Sequence, residues 1–169
     1  MGEPAGPPAA PARSLAVLDI DGVLADVRHR LHHLATRPKD WTGFFTAAAD
    51  DPLLPGGAEL AHQLAAEHEV LYLTGRPERI RELTGRWLAD QQLPPGRLLM
   101  RPDGDHRPAR LFKRERLRTL ANERTIASVV DDDPQVVELL RAAGIPVRLA
   151  DELPYAEPLA RAQERDGRT

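Results

Sequence analysis

Cysteine is absent from the 169-residue chain, so no disulfide, thiolate metal site, iron–sulfur cluster or cysteine nucleophile can contribute. Lysine is nearly absent: of 23 basic residues only Lys39 and Lys113 are lysines. With abundant Ala and Pro this reads as the codon bias of a GC-rich genome, and each surviving lysine becomes worth following. Aromatics are few, with 2 Trp, 2 Tyr and 3 Phe. No stretch approaches the roughly 18 apolar residues of a membrane span. The N-terminus also lacks the basic-then-apolar layout of a secretory signal. The expectation is a cytoplasmic protein without a membrane partner. A net charge of −3 supplies no overall basic field that by itself argues for nucleic acid, and nothing in the composition fixes an oligomeric state.

What is present suits one globular domain, at 41% hydrophobic and 29% charged residues. Residues 1–13 are rich in Ala, Pro and Gly and are expected to form a disordered tail. The segment 14–151 is then the folded domain, and 152–169 a peripheral segment. Short apolar runs mark five strands: Leu15 to Leu18, Glu69 to Leu73, Arg97 to Met100, Ile126 to Val130 and Pro146 to Leu149. Helices are predicted at about 57–67, 78–91, 112–122 and 134–143, with Asp133-Pro134 opening the last and Gly144 ending it. Alternating strands and helices predict an α/β fold, a three-layer Rossmann-like sandwich with a mainly parallel sheet whose ligands gather at the carboxyl ends of the strands. About fifty residues join the first two strands, far more than a crossover requires. The surplus, residues 26–55, predicts a small cap insert.

The strand ends carry the chemistry. Asp19-Ile20-Asp21-Gly22 follows the first strand. Two carboxylates one residue apart can share a divalent cation and divide nucleophilic from proton-transfer work, although the same tetrapeptide also fits a solvated turn. Thr74-Gly75-Arg76-Pro77 closes the second strand with a hydroxyl, a permissive backbone and a helix start, a cradle for a phosphate oxygen. Asp131-Asp132-Asp133-Pro134 closes the fourth. Asp133 is assigned to capping the next helix, and the mutual repulsion of the other two calls for a cation. Lys113 lies on the helix before that strand, either as a surface lysine or as the neutralising ammonium.

In order, spacing and strand placement these motifs resemble the haloacid dehalogenase (HAD) superfamily of phosphatases and phosphotransferases. The resemblance covers Leu15 to about Asp151. It implies Asp19 as nucleophile, forming an aspartyl-phosphate, with Asp21 protonating the leaving alkoxide and then deprotonating water. It further implies that Thr74 and the Gly75 amide hold phosphoryl oxygens, that Lys113 offsets their charge, and that Asp131 and Asp132 hold Mg²⁺ with Asp19 and the backbone carbonyl of Asp21.

Within that superfamily the chain looks most like the phosphatase domain of polynucleotide kinase-phosphatases. Arg30, Thr74-Gly75-Arg76, Met100-Arg101 leading to Lys113, and Asp131-Asp132 followed by Gln135-Val136-Val137-Glu138 carry that likeness. It implies that Arg30 and Arg76 contact the substrate phosphate region and that the substrate is a polynucleotide 3'-phosphate or a nucleotide. The family usually has Asp where this chain has Ala109, and often Arg where it has Asp133. A phosphatase of a small metabolite and a non-catalytic phosphate-binding module are the competing readings. Eight basic residues between Arg97 and Arg118 form either a strip for a polynucleotide backbone or an ordinary arginine-rich surface. In the insert, His29 and His33 lack a third metal ligand, and Trp41, Phe44 and Phe45 read as anchors to the core rather than as stacking partners for a base.

Overall fold

The computed structural model describes residues 12–150 and 157–166; residues 1–11 of the tail expected over 1–13, the segment 151–156 and residues 167–169 lie outside the described residues. Five strands, β1 (Leu15–Leu18), β2 (Glu69–Pro77), β3 (Gly96–Arg101), β4 (Ile126–Asp131) and β5 (Val147–Leu149), form one sheet in the order β3-β2-β1-β4-β5. Every pairing is parallel. Strand order reverses at β1, with β2 and β3 on one side of it and β4 and β5 on the other, so the crevice between the ends of β1 and β4 is the place where such sheets bind ligands.

Among the described residues seven α-helices accompany the sheet: α1 (His32–Ala35), α2 (Trp41–Thr46), α3 (Pro55–Glu67), α4 (Arg81–Asp90), α5 (Ala109–Glu123), α6 (Pro134–Ala142) and α7 (Glu157–Asp166). The predicted helix at 78–91 begins as a 3-10 turn, Glu78–Ile80, before α4, and α5 starts three residues before the expected position. Alternation along the strands builds two cores. Leu15, Val17, Leu71, Leu73 and Val129 pack with Phe112, Leu117 and Leu120 of α5 and Val136 and Leu140 of α6. Leu18, Val70, Tyr72 and Val130 face the other way, against Ala61 of α3 and Trp87 and Leu88 of α4. The result is the three-layer α/β sandwich.

β2 runs four residues beyond the apolar stretch that predicts it. Its register with β3 shifts between Leu73 and Pro77, and Pro77 then pairs with Arg101. The polar Thr74-Gly75-Arg76 is therefore strand, buried throughout, where a hydropathy reading ends the strand at Leu73.

The insert is helical and has a core of its own. Trp41, Phe44 and Phe45 of α2 pack together with ring centroids 5.5–5.9 Å apart. Val27 and Leu34 join them, and Leu159 and Ala162 of α7 close the cluster from the C-terminal side. Its neck is pinched by backbone hydrogen bonds from Asp26 N to Pro52 O (2.8 Å) and from Leu54 N to Leu24 O (2.7 Å). Among the described residues no helix is long and apolar enough to cross a membrane.

Candidate active site

Parity along the strands decides which side chains meet beyond them. Asp19 and Asp131 continue the faces of Val17 and Val129, which look towards α5, and β1 and β4 end level because Leu18 pairs with Val130. On α5, Lys113 occupies the same buried stripe as Ala109, Leu117 and Leu120, so its ammonium is delivered under the strand ends. Nζ donates to Asp19 Oδ2 at 2.7 Å and to Asp131 Oδ2 at 2.5 Å. Asp19 Oδ1 accepts from its neighbour Ile20 N at 2.8 Å, and Asp131 Oδ1 from Asp133 N at 3.0 Å. Asp133 caps α6 through Gln135 N, as its sequence position predicts.

Asp132 completes the group: ligand oxygens of Asp19, Asp131 and Asp132 all lie within 4.8 Å of one another. The turn after β1 makes room for it. Gly22 has φ +79°, and a Cβ there would sit 1.9 Å from Asp132 Oδ2, so both the backbone angle and the close approach require glycine. Charge in this pocket is under-compensated. Burial, with the Asp131 and Asp21 charges, outweighs Lys113 and pushes the Asp19 carboxyl up to about 7. Asp132 is raised well above the carboxylate range by burial and by the Asp131 and Asp19 charges. Lys113 moves the other way: burial opposes its charge, but the two carboxylates it bridges hold the proton on. Three carboxylates with a single ammonium between them are two positive charges short, which fits a hard divalent cation such as Mg²⁺.

Asp21 belongs to a second cluster. Its Oδ1 accepts from Arg30 Nη2 (2.9 Å), Arg76 Nε (2.9 Å) and Arg76 Nη2 (2.6 Å). Both guanidinium groups also reach Asp51: Oδ1 accepts from Arg30 Nε at 2.7 Å, and Oδ2 from Arg30 Nη2 at 2.8 Å and Arg76 Nη2 at 2.7 Å. Two carboxylates and two guanidinium groups thus make a buried neutral quartet. Although burial works against it, the two guanidinium groups lower the proton affinity of Asp21. Thr74 Oγ1 accepts from Arg76 N at 3.2 Å, which places the hydroxyl beside the quartet. Arg76 Nη1 is buried without a hydrogen-bond partner among the described residues.

Asp51 is the residue that sequence reasoning missed. It sits in the polar Asp50-Asp51-Pro52 exit of the insert, which reads as an ordinary turn. In the fold its carboxylate meets Arg30, Arg76 and His29 Nε2 (2.7 Å), while its carbonyl accepts from Trp87 Nε1 at 2.9 Å. His33 pairs separately with Asp40 at 2.7 Å, so the two histidines do not converge. The basic segment also separates: Arg101 and Lys113 are interior, Arg107 pairs with Asp105 and Glu115, and Arg110 pairs with Glu164. What remains on the surface is thinner than the sequence count implies.

Two outcomes follow. Asp51→Asn leaves two buried guanidinium groups facing one carboxylate and is expected to cost about 3–5 kcal/mol, read as a fall in unfolding free energy; an unchanged denaturation midpoint would contradict the quartet. Between about 3.8 and about 7 folded Asp19 keeps a proton that the unfolded chain has released, so its contribution to stability is lost as pH rises through that window. In chelator, thermal stability should decline across it, and added Mg²⁺ should restore most at the alkaline end, as differential scanning fluorimetry can show. Asp21 acts in the opposite sense: its stabilisation is present above the ordinary carboxylate range and is lost as pH falls below it.

The polynucleotide kinase PNKP phosphatase domain family matches residues 13–152. Two solved structures of the Pnkp1/Rnl/Hen1 RNA repair complex align with TM-scores of 0.69 and 0.67, at 26% and 25% identity, covering 83% and 82% of this chain. The chain spans less than half the length of those proteins, 46% and 42%. A HAD-family enzyme from Bacteroides thetaiotaomicron, in complex with magnesium and inorganic phosphate, shares the fold at TM-score 0.50 and 11% identity, covering 88% of this chain and 99% of its own. Among curated protein sequences there is no significant match. The family match runs through both charge clusters, and the chain belongs to the HAD phosphatases of the polynucleotide kinase PNKP phosphatase-domain family.

Proposed function

We propose that this chain is a Mg²⁺-dependent phosphomonoesterase working through an aspartyl-phosphate, with a polynucleotide 3'-phosphate or a nucleotide as substrate. The observation that carries the reading is the division of the two carboxylates of the first motif between two environments. Asp19 sits with Lys113 and two further carboxylates, while Asp21, two residues on, sits with two guanidinium groups. Lys113 and a bound cation would hold Asp19 ionised for attack, against the burial that otherwise keeps its proton on; Asp21, ionised beside its two guanidinium groups, is set to take a proton from water and to carry it to the next leaving group.

In this scheme an Asp19 oxygen forms the bond to phosphorus as the bond from phosphorus to the leaving oxygen breaks, and Asp21 gives that oxygen its proton. Water then attacks the aspartyl-phosphate, losing a proton to Asp21, and Asp19 is regenerated with inorganic phosphate released. The proton Asp21 takes in one cycle is the one it gives in the next. Asp19, Asp131 and Asp132, with the backbone carbonyl of Asp21, would hold the Mg²⁺. When bound, the cation supplies the positive charge that lets a carboxylate approach a phosphate dianion. Lys113 adds an ammonium on the other flank. Thr74 and the Gly75 amide hold phosphoryl oxygens, and the unpartnered Nη1 of Arg76 offers one more donor, with Arg30 beside it. The nucleic-acid substrate is supported by the family match and by the likeness to proteins of an RNA repair complex.

Asp19→Asn is expected to abolish Mg²⁺-dependent release of phosphate from a generic aryl phosphate while the fold, followed by circular dichroism, is kept; persistent turnover would refute the nucleophile assignment. A panel of 3'-phosphorylated oligonucleotides, nucleoside monophosphates and sugar phosphates at fixed salt then tests the substrate class. Turnover confined to sugar phosphates would move the reading to a small-metabolite phosphatase.

A further inference from the structure

A cleft of about 220 Å³ opens at the carboxyl end of β2 and β3, and none of the chemistry above uses it. Trp41 and Phe45 of the insert form one wall, Pro77 and Pro102 another, and Arg79, Asp103 and His106 line its mouth. Pro77 follows Thr74 by three residues on the same strand, about 10 Å at the rise of extended chain. The cleft is thus a near neighbour of the phosphate cradle rather than a remote hollow.

Size, shape and charge narrow what it takes. At about 220 Å³ it is smaller than the roughly 300 Å³ at which pockets for drug-sized ligands begin, so it suits one ring system rather than an extended molecule. Its surfaces are flat. Trp41 and Phe45 are stacked at 23° with centroids 5.8 Å apart, and the Arg79 guanidinium lies over the Phe45 ring, 4.9 Å from the centroid. That guanidinium is half exposed, with 52% of the Arg79 side chain accessible. A guanidinium already laid on an aromatic ring is a pre-oriented platform for a further planar group. The cleft is also close to electrically balanced. Arg79 pairs with Asp103 at 3.2 Å, and the charge of buried Arg101 is offset by Asp105, which lines the same cleft. A second phosphate would need a clear surplus of cations. An uncharged heteroaromatic ring needs only faces to stack on and a few polar edges, here Asp103 and His106.

We propose that this cleft seats the base of the nucleoside whose phosphate is removed, with Arg79 as its stacking platform. The inference rests on the phosphatase reading above and deepens it, since it makes the enzyme read the nucleoside as well as the phosphate.

The test compares two 3'-phosphorylated oligonucleotides, identical except that one ends in an abasic sugar, in the full chain with Mg²⁺. The base-bearing substrate is expected to have a kcat/KM on the order of tenfold higher, expressed in KM, as one base stack implies. Arg79→Ala and Asp103→Ala, both at an exposed pair, should bring that ratio close to one. Equal kcat/KM for the two substrates in the wild type, or a ratio that survives Arg79→Ala, overturns the proposal and leaves the phosphatase reading standing. A second measurement needs no turnover: an unphosphorylated nucleoside titrated against tryptophan fluorescence. A saturable change that Arg79→Ala weakens at least fivefold supports the cleft even if every oligonucleotide fails as substrate, and a flat titration overturns it.

Discussion

Carboxylates packed at one end of a buried sheet repel one another strongly, because the interior screens them far less than water does. Asp19, Asp131 and Asp132 stand within 4.8 Å, and Asp21 and Asp51 lie just beyond. The architecture around them answers that repulsion in two ways. On the α5 side a single ammonium bridges two carboxylates and leaves the cluster short of positive charge, the deficit that the proposed Mg²⁺ would fill. On the insert side two guanidinium groups match two carboxylates, and the local sum is zero.

The insert takes on a different character in this light. Its length suggests a cover for the pocket, but its buried polar residues face inward. Arg30 enters from one arm and Asp51 from the other, and with Arg76 of β2 they hold Asp21 in place. The guanidinium of Arg30 also rests on the Phe44 ring, 4.2 Å from its centroid, so the aromatic cluster that stabilises the insert fixes the charged group as well. Trp87 ties α4 to the same point through the Asp51 carbonyl. Packing and electrostatics here depend on the same few side chains.

Much of this was legible in the sequence for physical reasons. The five strands are short apolar runs with turn signals after them, and residues placed at the ends of parallel strands must converge whatever the details between. Lys113 stood out because lysine is rare in this chain. The remainder was hidden for equally definite reasons. β2 extends through Thr74, Gly75 and Arg76, which hydropathy cannot tell from a loop, because their burial is compensated by charges from other elements. Asp51 becomes meaningful only when a segment 21 residues from Arg30 and 25 from Arg76 folds back. The count of arginines between Arg97 and Arg118 overstated the surface charge, because spacing alone does not show which cations turn inward or find acidic partners.

The pinched neck of the insert has a kinetic consequence. Its two arms are joined by backbone hydrogen bonds at Asp26 and Leu54 and again, deeper in, by the Arg30–Asp51 pair. Lifting the insert from the sheet means parting that pair and the bonds from both arms to Arg76 and Asp21. Such a step exposes several charges at once, and neighbouring charges cannot ease it gradually. The pinch therefore opposes a hinged movement of the insert, and its inner face and the end of β2 keep one relative placement for as long as the buried charges stay paired.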